Sequence, residues 1–139
     1  MAITHALARP LIAAMFVSGG VDALKNPDTK VPAAEAVAPK VADAVGVSAD
    51  TETLVKVNGA VMVGAGALLA LGKLPRLAAL ALAGTLVPTT FAGHRFWEET
   101  DEKARKMQRI HFLKNVSMLG GLILAATDKK PAPEPAAES

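Results

Sequence analysis

His111, Lys114 and Asn115 stand at i, i+3 and i+4, a spacing that puts an imidazole, an ammonium and an amide on one side of a helix. A second histidine, His94, lies in the run Phe91-Ala92-Gly93-His94-Arg95-Phe96-Trp97-Glu98-Glu99, where an aromatic and basic cluster closes one apolar segment and faces the start of the next. Two histidines on neighbouring helices at one depth could ligate a haem iron. A haem is disfavoured, because helix ends this near the headgroups enclose a macrocycle badly and interfacial histidines are common without any ligand. A quinone is the milder alternative, its ring carbonyl hydrogen-bonded by His94, His111 or Asn115 beneath an apolar groove. Otherwise no cofactor is expected. The chain has no nucleophile, base and orienter set, no phosphate-cradling glycine loop and no acidic metal cluster, so neither a catalytic residue nor a metal site is expected. Cysteine is absent, which removes thiolate metal sites and CxxC redox chemistry.

These residues must be held by apolar elements. Hydrophobic types make up 51% of 139 residues, mean hydropathy is +0.32, and charges collect between apolar stretches. Four such stretches approach the roughly 17 to 25 residues that cross a hydrocarbon core. They run from about Ala6 to Leu24, Leu54 to Leu71, Leu74 to Gly93 and Ile110 to Ala126. Pro10 is expected in the opening turn of the first, where a proline loses no hydrogen bond. Arg9 and Pro10 fit a secretory leader badly, so that segment reads as a retained span. Ala60 and Gly64 offer small-xxx-small spacing for close helix contact in the second. Pro88 is expected to kink the third, with Thr89 and Thr90 hydroxyls bonding freed carbonyls. A soluble four-helix bundle with unusually apolar helices is the competing class.

The connection from Asn26 to Thr53 is long, and its Ala33 to Val47 portion reads as a short amphipathic helix broken near Pro39. The turn Gly72-Lys73-Leu74-Pro75-Arg76 is tight. The polar stretch Trp97 to Arg109 places acids before bases, an order that favours a helix. Residues 1–128 form one domain, and the proline- and alanine-rich tail 129–139 is expected to be disordered. The fold class is therefore all-α, an up-down four-helix transmembrane bundle.

Up-down topology gathers the end of the first helix, the start of the second, the end of the third and the start of the fourth on one membrane face. Asp22, Lys56, Asn58, His94, Arg95, His111, Lys114 and Asn115 all fall within about two turns of that face. Arg9, Lys73, Arg76, Lys129 and Lys130 fall on the other. Charge is costly in lipid, so Asp22 is expected to pair with Lys56, Arg95 or Lys114. Arg95, Trp97 and Lys106 read more simply as interfacial anchors.

The chain resembles the DoxX family of small four-helix membrane proteins, its actinobacterial branch above all. Arg9-Pro10, Ser18-Gly19-Gly20-Val21-Asp22-Ala23-Leu24, the stretch from Val57 to Gly66, Val87-Pro88-Thr89-Thr90, His94-Arg95-Phe96-Trp97, Phe112-Leu113-Lys114-Asn115 and Leu119-Gly120-Gly121 carry the resemblance. It implies a link to respiratory and oxidative-stress systems. Relatives include subunits of a quinol oxidase and of thiosulfate:quinone oxidoreductase, and members associated with a superoxide dismutase and a sulfurtransferase. The resemblance also selects Asp22, Lys56, Asn58, His94, Lys114 and Asn115.

The function this implies is an accessory or scaffold subunit of a respiratory or redox-defence complex in the plasma membrane. Its partners would be membrane lipids, other membrane subunits and a superoxide dismutase. A quinone-linked oxidoreductase subunit is the alternative. A transporter is disfavoured by the lack of an inverted repeat. Nucleic acid is not an expected partner, since no basic stripe interleaves with aromatics. Both termini are placed in the cytoplasm by the resemblance, against the positive-inside count: five Lys/Arg would lie inside (Arg9, Lys73, Arg76, Lys129, Lys130) and eight outside (Lys25, Lys30, Lys40, Arg95, Lys103, Arg105, Lys106, Arg109).

Overall fold

The computed structural model describes residues 2–128 and contains no strand among them. Four long helices, α1 (Ala2–Lys25), α4 (Thr51–Ala70), α5 (Pro75–Gly93) and α6 (Glu102–Thr127), are each long and apolar enough to cross a membrane. They alternate in direction as an up-down bundle. Two short helices, α2 (Val31–Ala34) and α3 (Ala38–Val45), occupy the first long connection. The tail read above as disordered, 129–139, lies outside the described residues.

Local chemistry sets the helix starts. Asp50 caps α4 by accepting the Thr53 amide at 2.9 Å, and the Thr53 hydroxyl donates to the same carboxylate at 2.7 Å. These two bonds hold the Asp50 carboxyl below the usual carboxylate range, the backbone amide first. Asp101 caps α6 in the same way, accepting the Ala104 amide at 2.7 Å. From that cap onward, the polar stretch from Glu102 to Arg109 runs without a break into the fourth apolar segment as one 26-residue helix. The connection between α4 and α5 turns on Gly72 and Leu74, both at positive φ (67° and 47°). For Leu74 this is a sparsely populated conformation, placed directly before Pro75.

Three expectations need correction. Helix α1 starts before Ala6, so Pro10 lies inside it and removes the bond that the Ala6 carbonyl would accept. The break in the first connection falls at 35–37, ahead of Pro39, which sits in the first turn of α3 where its missing N–H costs nothing. The third helix continues through Pro88, and what differs there is which carbonyls the threonines bond. There the hydroxyls of Thr85, Thr89 and Thr90 donate to the carbonyls of Leu82, Thr85 and Leu86 at 2.7–2.8 Å, flanking rather than replacing the bond lost at Gly84.

The core takes one fully buried large side chain from each long helix: Phe16, Leu69, Leu82 and Leu122. Around it the bundle is inverted relative to a water-soluble domain. Leu11 and Leu124 are 74% and 73% exposed, and Leu7, Leu77, Leu80, Ile110 and Ile123 are exposed beside them. Contiguous apolar surface on this scale needs a hydrocarbon solvent.

The two closest pairings differ in kind. Between α1 and α4 the backbones nearly touch: a Cβ on Gly20 would come 2.6 Å from the Gly59 carbonyl oxygen, and one on Gly59 would come 2.9 Å from that of Gly20. Further along the same seam, Gly66 faces Val17. Close approach of this kind is how helices gain dispersion energy in lipid. The glycines that do so are Gly20, Gly59 and Gly66, whereas Ala60 is exposed and Gly64 has open space before it. Within the bundle the close contact is therefore made without the Ala60 and Gly64 pair, which faces outward.

Candidate functional site

The loop-side end of the bundle, where the connections 26–50 and 94–101 lie, holds the polar residues singled out by spacing. They do not form one cluster. Asn115 of α6 is buried at 6% exposure, and its amide donates 3.0 Å to the Thr90 hydroxyl of α5. Asn58 of α4 donates 3.3 Å to the Thr89 hydroxyl, on the neighbouring position of α5, and lies 3.4 Å from Met62 Sδ on its own helix. Adjacent threonines thereby tie α5 to both neighbours. A hydroxyl suits this role because it donates to its own helix while accepting from another.

His94, just past the end of α5, and His111 on α6 meet as the shared depth implied. Their rings stack with centroids 5.2 Å apart and planes 23° from parallel. The Nδ1 of His94 lies 2.8 Å from Oε1 of Gln108, one turn before His111 on α6. Beside this pair an aromatic cluster joins the same two elements: Phe112 of α6 makes edge contacts with Phe91, Phe96 and Trp97 at 5.5–6.2 Å. Such tilted and edge geometries are the favourable ones for aromatic pairs.

The charged residues behave differently. Asp22 does not pair with Lys56, Arg95 or Lys114. It binds Lys30 at 2.5 Å and accepts from Asn26 at 2.9 Å, and both partners belong to the first connection. The reason is position: Asp22 is the last acid of α1, half exposed at the helix end, and the chain folds straight back over it. Lys56 pairs with Glu52 on its own helix at 2.6 Å. Arg95 lies 3.4 Å from Glu98 in the following turn. Lys114, half-buried one turn beyond His111, makes no ion pair with a described residue.

The opposite end shows what spacing alone did not. Asp128, just past α6, sits 3.3 Å from His5 and 3.7 Å from Arg9, and its main-chain carbonyl accepts from Arg76. One residue therefore ties the end of α6 to the starts of α1 and α5. The available signal was a lone acid among the five basic residues of that face. Gln108 and Lys30 were likewise not singled out as partners, because each matters only through the residue the fold sets against it.

Chemically, the loop-side end offers two imidazoles, the three amides of Asn58, Gln108 and Asn115, and three threonine hydroxyls, most of them engaged with each other. Among the described residues, no buried side-chain nitrogen or oxygen lacks a hydrogen-bond partner. Comparison with known proteins places the chain. A family model described as DoxX matches residues 4–95, from α1 to the residue after His94. No curated protein and no solved structure matches it.

Proposed function

Because the chain belongs to the DoxX family of membrane proteins, we propose that it is an accessory or scaffold subunit of a respiratory-chain or oxidative-stress complex. That complex would lie in the plasma membrane and be linked to a superoxide dismutase and a sulfurtransferase, with both termini of this chain in the cytoplasm. The actinobacterial branch is the one whose motifs it resembles. The observation that carries the reading is the mutual engagement of the interior polar groups. Asn115 is bonded to Thr90, Asn58 to Thr89 and His94 to Gln108, so they hold helices together rather than point at a reactant. Outside, the exposed apolar faces of α1, α5 and α6 are suited to lipid and to the helices of other subunits.

The second reading is a quinone-linked oxidoreductase subunit, and the stacked histidines favour it. In that case His111, with Asn115 and His94 beside it, would hydrogen-bond a ring carbonyl of the quinone. The fit is limited by Asn115, whose amide is already given to Thr90, and by His94, which faces Gln108.

Purification from native membranes in gentle detergent, with mass spectrometry of co-purifying proteins and of extracted quinones and haems, separates the two. Stoichiometric oxidase, quinol oxidoreductase or superoxide dismutase subunits are the expected result. Recovery of the chain alone with one quinone each would overturn the accessory-subunit reading.

A further inference from the structure

Between the short helix α3 and the last turns of α5 runs an open groove of about 490 Å³, within the volume range of ligand pockets, about 300–1,000 Å³. Its floor is apolar and continuous with the membrane span: Val87, Pro88 and Phe91 from α5 face Ala36, Val37 and Val41 from the connection. Its mouth is charged. Lys40, Arg95 and Glu98 line it where α5 ends. Arg95 reaches Glu98 through Nε at 3.4 Å, which leaves the remaining donors of its guanidinium. Lys40 is exposed on the facing wall.

We propose that this groove binds one anionic phospholipid, an acyl chain lying along Val87 and Phe91 and the phosphate held between Lys40 and Arg95. Charge complementarity selects this occupant. Two cations and one carboxylate leave a single positive charge, which a phosphatidylglycerol-type headgroup neutralises and a zwitterionic one does not. The depth pattern agrees, since an apolar trough opening onto cations at the end of a span matches a lipid, chain inward and headgroup outward. Helix α3 explains why the site differs from the general lipid annulus. It supplies a second wall, anchored by buried Ala42 and closed by Gly46 in the left-handed conformation. The inference depends on membrane embedding but not on the accessory-subunit reading.

The test is native mass spectrometry of the full-length protein released from detergent after incubation with phosphatidylglycerol or phosphatidylcholine of identical acyl chains. The expected result is a retained one-to-one adduct with phosphatidylglycerol and little with phosphatidylcholine. Lys40→Gln should lower phosphatidylglycerol retention about fivefold, as expected for one cation near an anionic headgroup. Lys103→Gln, on the exposed start of α6, should leave it unchanged. Val41→Trp, which fills the trough, should abolish retention. Equal retention of the two lipids by the unmodified protein, equal loss in Lys40→Gln and Lys103→Gln, or a co-purifying peptide in the groove would overturn the proposal. The wild-type comparison stands even where a variant fails to fold.

Discussion

The bundle joins its helices in two ways. The α1–α4 pair meets through backbone, glycine against glycine, with Met62 and Val63 packed over Gly20. The α5–α6 pair meets through side chains: an amide on a threonine, histidine on histidine, and Phe112 among three aromatic rings. The first is steric and tolerates no added atom. The second is a set of small, separable contributions, because each threonine hydroxyl and each phenylalanine or tryptophan ring has another neighbour to fall back on. In lipid, where apolar burial drives little association, these are the two means by which helices are held.

The largest expected effect breaks the first seam. Gly20→Ala puts a methyl 2.6 Å from the Gly59 carbonyl oxygen, which no rotamer can relieve, so the helices must separate. A loss of about 1–3 kcal/mol is expected in detergent unfolding. Gly64→Ala, with nothing within 4 Å, should instead stabilise α4 by about 0.5–1 kcal/mol. Equal effects at the two sites would refute the seam.

Breaking the polar seam should cost less. Asn115→Leu removes the bond to Thr90, but the Thr90 hydroxyl still donates to Leu86 at 2.7 Å, so no buried group is orphaned. The expected cost is about 0.6 kcal/mol, typical of hydrogen bonds between membrane helices. Substantially more would mean that Asn115 organises other groups as well.

Smaller effects belong to the ends. The Asp50 carboxyl is held below its ordinary range by Thr53. Its cap therefore contributes above the pH at which an unfolded carboxyl titrates, and is lost as pH falls through the lower native value. Hydrogen exchange in the first turn of α4 should rise on acidification in the wild type, and Asp50→Ala should show that faster exchange already at neutral pH. Smallest of all is Asp22→Asn. The Asp22 partners are Lys30 and Asn26 in the connection rather than charges within the bundle, so the melting temperature should not change measurably. A clear drop would restore the buried-pair expectation.

The four spans, their alternation and the end of the bundle at which the polar residues gather were legible in the sequence, because hydropathy and helix length are local properties. So was the meeting of His94 with His111, which follows from depth alone. Partner choice was not legible. Which glycine touches depends on helix rotation, and a rotation of one residue exchanges Gly59 for Ala60 at the seam. The fate of Asp22 depended on how the connection folds back, and Asp128 gained its role from three residues on two helices far away in sequence. The family match ends at residue 95, so the half of the polar seam that lies on α6 rests on spacing, on the motif resemblance around Lys114 and Asn115, and on the structure.

The central claim is that the loop-side polar residues hold helices and do not perform redox chemistry. It is tested most directly in membranes in which His111→Ala replaces the wild-type chain at equal abundance, by measuring quinone reduction by the complex proposed above. The account predicts the wild-type rate. Loss of quinone reduction with the complex still assembled would contradict it and assign His111 to a redox site.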